Sequence, residues 1–299
     1  MSLVSLPELL EHAGKNRYAV GYFESWDLYS LEATLAAAEA KRSPVIIGIG
    51  GLSANHEWLQ SGGIELYGNI CRSLAARATV PVATLFNEAD SFAEAAGGLG
   101  AGFNSVMMHT QGWDQDKLIA DTAALVAAAH TVNVAVEGEI GALAEIKDGV
   151  LDSAGASYTS PEAAELFVRE TGVDCLAVAV GNVHFVTGGH TPTVQVDLIK
   201  QIGDAVNVPL VLHGGSGTPD DQTRVAIQAG ITKVNLGTKL KFVFGQALAA
   251  EFGEAIVDPN MAYGSRFEGD LNSRAARALK KEIERYMDVF GSTDKAARS

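Results

Sequence analysis

Short apolar runs alternate along this chain with longer segments whose apolar residues recur at helical spacing. Eight of the runs have the length and composition of strands that are buried on both faces, and each is bounded by glycine, proline or polar residues. These runs span residues 19–23, 44–49, 81–86, 105–108, 132–136, 175–180, 209–212 and 233–236. The pattern therefore predicts strands that alternate with helices through the whole chain.

An alternation of this kind, with no shift in composition to mark a domain boundary, predicts one α/β domain over residues 1–299. The expected fold is a single (β/α)8 TIM barrel with a C-terminal helical extension over residues 273–290. A doubly wound open sheet is the alternative, but it would not place polar or glycine-rich residues at nearly every strand end. A barrel builds its site from those ends. Residues 141–158 are expected to form a long irregular segment.

The seventh predicted strand ends in the sequence H-G-G-S-G, which places His213 at a strand end and follows it with glycines. Glycines allow backbone N–H groups to approach an anion closely. The eighth strand ends in N-L-G-T-K, and barrels often hold phosphate between strands seven and eight. The alternative is a core histidine before an ordinary turn. The candidates for phosphate binding are Gly214, Gly215, Ser216, Asn235, Gly237, Thr238 and Lys239.

Titratable and polar side chains end most of the predicted strands, so a barrel would collect them at one rim. Histidine and carboxylate side chains that converge in a small volume are common ligands of zinc and similar divalent ions. Such an ion would polarise a carbonyl group or stabilise an enediolate. The alternative is that these are turn residues without a ligand. The candidates at this rim are Glu24, Asn87, Glu88, Asp90, His109, Glu137, Glu139, His184 and His213.

Composition and charge indicate the kind of protein, its compartment and the partners that it is not expected to bind. Hydrophobic residues make up 47% of the 299 positions, which predicts a well-filled globular core. The formal charge of −14 argues against nucleic acid and anionic membranes as partners, because both require a basic surface. Cys71 and Cys175 lie in apolar patterns and are predicted to be buried thiols of a reducing compartment. With no run long enough to span a membrane and no signal peptide, we expect a soluble cytoplasmic protein.

Longer motifs occur in order along nearly the whole chain: Y-A-V-G-Y-F, S-P-V-I, S-V-M-M, V-E-G-E-I-G, the stretch from Thr159 to His184, P-L-V-L-H-G-G-S-G, K-V-N-L-G-T and F-G-S-T-D-K-A. In these motifs the chain resembles the class II, metal-dependent ketose-bisphosphate aldolases, the fructose- and tagatose-bisphosphate aldolase family. The resemblance implies a TIM-barrel carbon–carbon lyase of carbohydrate metabolism, acting in a glycolysis-like reaction. It further implies a Zn2+ or other divalent cofactor, a monovalent cation, and assembly as a homodimer or homotetramer.

The resemblance also assigns residues, and it is incomplete at the third strand. The family's zinc histidines of strands six and seven fall on His184 and His213, and its nearby carboxylate falls on Glu139. At the end of strand three the family has His-Leu-Asp-His-Gly, in which the aspartate transfers a proton and the second histidine binds zinc. Asn87 and Glu88 occupy these two positions here. Asparagine cannot exchange a proton near neutral pH, so this chain departs from the family pattern in its catalytic residues.

A second departure lies on strand four, where His109 stands in place of a family aspartate. Relative to the family, a histidine is thus lost at position 88 and gained at position 109. We interpret this as a metal-ligand set in which a histidine and a carboxylate have exchanged places. The metal would then be held by His184 and His213 together with Glu88 or His109. Proton transfer would fall to Glu88 if that residue is not a ligand, or else to Glu24 or Asp90.

The substrate-facing residues depart from the family as well. Lys239 replaces an aspartate, and a family lysine after the strand-six histidine is absent from the sequence F-V-T-G. Glu24 and Asp27 follow the first strand where the family has asparagine and neutral polar residues. The resemblance as a whole implies metal-assisted aldol cleavage or condensation of a phosphorylated ketose or sugar acid through an enediolate. The alternatives are a sugar-phosphate-binding protein that has lost the activity, or an isomerase or epimerase with the same enediolate chemistry.

Overall fold

The computed structural model describes residues 2–147, 150–152, 156–184, 193–251 and 258–296, with the backbone alone for residues 144–147, 150–152 and 184. The strands are β1 Val20–Ser25, β2 Val45–Gly50, β3 Val82–Ala89, β4 Ser105–Met108, β5 Ala135–Ile140, β6 Ala144–Lys147, β7 Val150–Asp152, β8 Cys175–Val178, β9 Val183–His184, β10 Leu210–Leu212 and β11 Ile231–Leu236. Eight parallel strands close into a barrel in the order β1-β2-β3-β4-β5-β8-β10-β11. The predicted TIM barrel is confirmed.

Helices follow the barrel strands and pack around their outer face, except the first helix, which precedes β1 and closes one end of the barrel. They are α1 Leu6–Lys15, α2 Leu28–Lys41, α3 His56–Trp58, α4 Ile64–Arg77, α5 Phe92–Gly100, α6 Gln115–His130, α7 Pro161–Thr171, α8 Val196–Ala205, α9 Asp220–Ala229, α10 Thr238–Glu251, α11 Pro259–Ala262 and α12 Leu271–Phe290. The predicted C-terminal extension is α12, which Asp270 caps and which packs on α2 and α10. None of the helices seen in the described residues is long and apolar enough to cross a membrane.

The apolar core has two parts, one on each face of the barrel wall. The larger part lies between the strands and the surrounding helices, where alternate strand residues meet apolar helix faces. The smaller part fills the lower half of the barrel interior, and α1 closes that end with Leu6, Leu9 and Leu10. Because strand side chains alternate between faces, the interior face of each strand continues upward from these apolar residues to the carboxyl ends. The site is therefore built on a packed apolar base.

Two boundaries differ from the sequence prediction. The fifth strand runs from Ala135 to Ile140 instead of 132–136, because Asn133 adopts a left-handed turn with φ 56° and the strand continues through two buried glutamates. Residues 141–158 were expected to be irregular, and this expectation is wrong in part. They include β6 and β7, which pair antiparallel, and β6 also pairs in parallel with β9 to form a small separate sheet.

Candidate active site

The barrel interior changes from apolar to polar toward the carboxyl ends of the strands. On β11, Lys233 and Asn235 share the interior face at a spacing of two residues, and on β5 Glu137 and Glu139 do the same. His213 follows the last residue of β10. All five side chains are buried, so charged groups from three strands of the barrel meet in a low-dielectric interior.

Glu137 and Lys233 form the deepest ion pair of this interior. Glu137 Oε2 lies 2.7 Å from Lys233 Nζ, and both side chains have no exposed surface. Lys233 also donates to Asn235 Oδ1 at 2.5 Å and lies 5.3 Å from the ring centroid of Tyr22. Burial alone would raise the pKa of Glu137, but the charge of Lys233 and the hydrogen bond from His213 outweigh burial and hold that pKa below its usual value. Glu137 is therefore an ionised acceptor.

His213 lies between two carboxylates. Its Nε2 is 2.8 Å from Glu137 Oε1, and its Nδ1 is 3.4 Å from Glu88 Oε1. Burial would lower the pKa of His213, but the hydrogen bonds to Glu137 and Glu88 outweigh burial and raise it to about 9. An ionised glutamate is only an acceptor, so Glu137 favours a proton on Nε2, which also lies 2.9 Å from Asn235 Nδ2, and Nδ1 faces Glu88.

Glu88 reaches the cavity through a break in β3. The pairing of β3 with β4 shifts register between Phe86 and Ala89, and Glu88 adopts a left-handed backbone with φ 51°. In a regular strand, two consecutive side chains would point to opposite faces. Here Asn87 and Glu88 both line the cavity, and Asn87 Oδ1 lies 3.4 Å from Asn235 Nδ2.

Glu139 is the third carboxylate near His213. Its side chain is buried, and its Oε2 accepts no hydrogen bond from any residue that the structure describes. Burial raises the pKa of Glu139 to about 7, although the charge of His213 acts to lower it. His109 follows β4, where its backbone N–H donates to the carbonyl of Ala89 at 2.9 Å. Neither residue lines the cavity described below.

Backbone N–H groups gather where β10 and β11 end. The hydroxyl of Ser216 accepts from the N–H groups of Gly237 and Lys239, both at 3.2 Å, and thereby caps the start of α10. The N–H of Gly215 donates to the carbonyl of Asn235 at 3.0 Å. The N–H groups of Ser216 and Thr238 meet no acceptor within the described parts of the chain. These two N–H groups, beside the positive end of the α10 dipole, are suited to bind an anion.

One cavity joins the polar interior to these N–H groups. The described residues enclose about 60 Å³ at the carboxyl end of the barrel, which is room for a few water molecules. Its lining comprises Tyr22, Glu24, Asn87, Glu88, Val183, His213, Gly214, Ser216, Gly217, Asn235, Leu236, Gly237 and Thr238. Most of the predicted site residues are therefore brought together at one place.

Some predicted residues lie elsewhere. Lys239 is not part of the cavity lining, and its Nζ lies 5.6 Å from the ring centroid of Phe242. Asp90 is exposed beyond the end of β3. The prediction for the His184 side chain lies outside the described residues, as does the F-V-T-G stretch that follows it.

Sequence reasoning missed two lysines of the site. Lys233 was given no role in the sequence analysis, although a lysine two positions before Asn235 must share its interior face. Lys241 lies one turn after Thr238 on α10, and its Nζ is 2.5 Å from Glu24 Oε1. The signal for Lys241 was its position in the first turn of a helix that begins at the rim, since residues three apart on a helix lie on the same side.

The donors around Glu88 and His213 fit a divalent metal ion. Two ligands of one tetrahedral zinc ion lie about 3.4 Å apart when each bond is about 2.0–2.1 Å, and His213 Nδ1 and Glu88 Oε1 lie 3.4 Å apart. Glu139 Oε2, which accepts no hydrogen bond from the described residues, adds a further oxygen donor near the same histidine. Among the described side chains alone, no three histidine, cysteine, aspartate or glutamate groups form a metal site. The third donor indicated by the resemblance is His184.

Comparison with known proteins yields consistent matches over the whole chain. The family model for fructose-bisphosphate aldolase class II matches residues 4–295. The fructose-bisphosphate aldolase of Geobacillus stearothermophilus is 35% identical over 300 residues, covering 100% of both chains. The 6-phospho-5-dehydro-2-deoxy-D-gluconate aldolase of Shouchella clausii is 33% identical over 299 residues, covering 100% of this chain and 98% of the relative. The crystal structure of the YdjI aldolase from Escherichia coli K12 matches with a TM-score of 0.82 at 30% identity, over 99% of this chain and 100% of that one.

Proposed function

Since the chain belongs to the class II fructose-bisphosphate aldolase family, and is thus a carbon–carbon lyase of the aldolase type, we propose that its substrate is a phosphorylated ketose or sugar acid. We further propose that a divalent metal ion assists the reaction, as is general in this metal-dependent family. The observation that carries the proposal is one cavity that is lined both by His213 and Glu88 and by Ser216 and Thr238. That arrangement suits a substrate with a carbonyl group at one end and an anionic group at the other.

The proposed metal ligands are His213, His184 and Glu88. When bound, a divalent ion such as zinc polarises the substrate carbonyl and stabilises the negative charge that develops on it. Glu137 fixes the orientation of the His213 ring through the 2.8 Å hydrogen bond, and Lys233 keeps Glu137 ionised. If His109 is the third ligand instead, Glu88 is left to transfer the proton that Asn87 cannot. Asn87 and Asn235 would orient substrate hydroxyl groups at the base of the cavity.

The anionic group of the substrate is proposed to bind at the start of α10. The N–H groups of Ser216 and Thr238 would donate to it, and Gly214 and Gly237 line the cavity beside them. A chain with a formal charge of −14 offers little long-range attraction to an anion, so these local donors must supply most of the affinity.

The comparisons do not favour the two alternatives, a binding protein without activity and an isomerase or epimerase, because the relatives are named as aldolases. Those names cover both fructose bisphosphate and a phosphorylated sugar acid, so the test is a screen of both classes for release of a triose phosphate or an equivalent three-carbon product. Release of such a product supports the proposal. If protein with a full equivalent of metal releases no such product from either class of substrate, the proposed activity is excluded.

The remaining expectations also rest on the family. We propose that the chain acts as one domain over residues 1–299, that zinc is the metal, and that the protein works in the cytoplasm as a homodimer or homotetramer. Light scattering gives the assembly, and elemental analysis of protein purified without chelator gives the metal.

Replacing Glu88 tests the ligand set. We expect Glu88→Gln to weaken zinc binding by more than about 100-fold, because losing a ligand exceeds the effect of losing an outer hydrogen-bond partner. Glu88→His, which restores the family residue at a backbone conformation that histidine tolerates, should bind zinc again. His213→Ala is the control for complete loss. Zinc affinity is measured by competition with a chromophoric chelator. Wild-type affinity in Glu88→Gln would instead make His109 the third ligand.

Replacing Thr238 tests the anion site. Thr238→Pro removes one N–H at the first position of α10, where proline is well tolerated because this N–H has no partner within the helix. We expect phosphate affinity to fall by about tenfold or more, the typical value of a hydrogen bond to a charged group. The matched control Thr238→Val removes the hydroxyl but keeps the N–H, and it should change the affinity less. Equal effects of the two variants would count against backbone recognition.

A further inference from the structure

A carboxylate lies beside the proposed anion site. Glu24 belongs to the end of β1, lines the cavity, and has 11% of its side chain exposed. Its Oε1 accepts from the hydroxyl of Ser53 and from Nζ of Lys241, both at 2.5 Å. Because two donors engage one oxygen, the carboxylate is held in a defined position and does not sample the open solvent.

The other carboxylate oxygen faces the backbone at the start of α10. A Cβ atom placed on Gly237 would lie 2.4 Å from Glu24 Oε2, and one placed on Gly50 would lie 3.1 Å from the carboxyl carbon. Glu24 therefore packs between the ends of β2 and β11, against the residue that immediately precedes Thr238. A negative charge is therefore fixed next to Gly237, at the start of the helix whose N–H groups would receive the anion of the substrate.

We propose that Glu24 is a specificity-determining residue that makes this anion site select by charge. A singly charged group, such as the carboxylate of a sugar acid or a phosphate monoanion, is favoured over a phosphate dianion. This inference rests on the anion site proposed above. The physical reason is that Coulomb repulsion scales with the product of the charges, so Glu24 opposes a dianion twice as strongly as a monoanion at the same position. Lys241, whose Nζ lies 2.5 Å from Glu24 Oε1, offsets part of this repulsion.

The geometry argues against a role for Glu24 as the proton-transfer residue expected from the sequence. Its Oε1 is already engaged by Lys241 and Ser53, and its Oε2 lies against Gly237. The Glu24 carboxylate beside Gly237 would act on an anion bound at the start of α10. Its effect is therefore expected on affinity for anions, with a dependence on their charge.

The test uses two anions of nearly the same shape, methyl phosphate and methyl sulfate. At about pH 8 the first is a dianion, since its second pKa is near 6, and the second is a monoanion. Dissociation constants are measured by calorimetry or ligand-observed NMR at low ionic strength. We expect Glu24→Gln to bind methyl phosphate on the order of tenfold more tightly, and methyl sulfate about threefold more tightly, because the logarithm of the change follows the charge of the anion.

Glu32→Gln is the matched control. Glu32 lies on α2 and forms an exposed ion pair with Arg266, so this substitution also removes one negative charge. It should leave both dissociation constants unchanged. If Glu24→Gln is poorly folded, Glu24→Asp keeps the charge but withdraws it from Gly237, and a smaller tightening with the same ratio between the anions is expected. Equal changes for both anions, or none, would refute charge selection by Glu24 and leave the anion site standing. No binding of either anion to wild type or variant would overturn the anion site itself.

Discussion

Glu137→Gln is expected to lower the free energy of unfolding by about 3–5 kcal/mol, the usual cost of removing one partner from a buried ion pair. The substitution keeps the shape of the side chain but leaves Lys233, which has no exposed surface, without its counter-charge. It also removes the ionised acceptor at His213 Nε2. The measurement is equilibrium unfolding in urea, with the same slope expected for wild type and variant.

Lys233→Met should cost less, roughly 1–3 kcal/mol, because Glu137 keeps its hydrogen bond with His213. The double variant should lose less free energy of unfolding than the two single variants lose in sum, since each change removes the same interaction. Glu32→Gln, in an exposed pair, is expected to stay within about 1 kcal/mol of wild type. A loss below about 1 kcal/mol for Glu137→Gln would show that the interior around Lys233 admits water and is not a dry ion pair.

Fructose 1,6-bisphosphate is expected to be a poor substrate, and Asn87→Asp alone should not make it a good one. An asparagine in the proton-transfer position keeps the shape of aspartate but cannot take a proton, and general acid–base help is typically worth about 10²–10⁴-fold. The family's phosphate lysine is also absent from the F-V-T-G stretch, and Glu24 stands beside the anion site. These defects concern different steps, proton transfer and anion binding, so one reversion should recover less than about tenfold in kcat/KM.

Steady-state assays of wild type and Asn87→Asp decide the matter. The triple variant Asn87→Asp, Glu88→His and Glu24→Gln should recover more than any single change, because it addresses proton transfer, the ligand set and the anion site together. Wild-type turnover of fructose 1,6-bisphosphate near the ordinary enzymatic rate of about 10 per second would refute the prediction. Another carboxylate, Glu88 foremost, would then have to transfer the proton.

The barrel could be predicted from sequence because its signal is local. Each apolar run between glycine and polar residues is a strand buried on both faces, and the structure confirms all eight. The fifth strand was displaced because Glu137 and Glu139 were taken to end it, whereas both continue it on the interior face. A carboxylate inside a barrel contradicts the apolar pattern unless a partner is known, and that partner, Lys233, lies on a strand distant in sequence.

The site likewise has a part that local sequence patterns predict and a part that depends on contacts between residues distant in sequence. The resemblance placed His213, Glu88 and the N–H groups near Thr238 at one rim, because strand ends of a barrel converge. It could not show that Lys241 holds Glu24 or that Ser216 caps α10, since these contacts depend on side-chain directions across separate loops. It also could not show that Asn87 and Glu88 both enter the cavity, which depends on one left-handed residue.

The left-handed turn at Glu88 has a consequence for how this site could change during evolution. In a regular strand only every second side chain would face the cavity. Here the adjacent residues Asn87 and Glu88, encoded by neighbouring codons, both line it. A proton carrier and a metal donor can therefore be exchanged by neighbouring point mutations while the barrel, its helices and its hydrogen-bond ladder stay as they are. Related lineages should accordingly diversify their chemistry first at this pair of positions, and a library restricted to them is the smallest one from which a new activity could be selected.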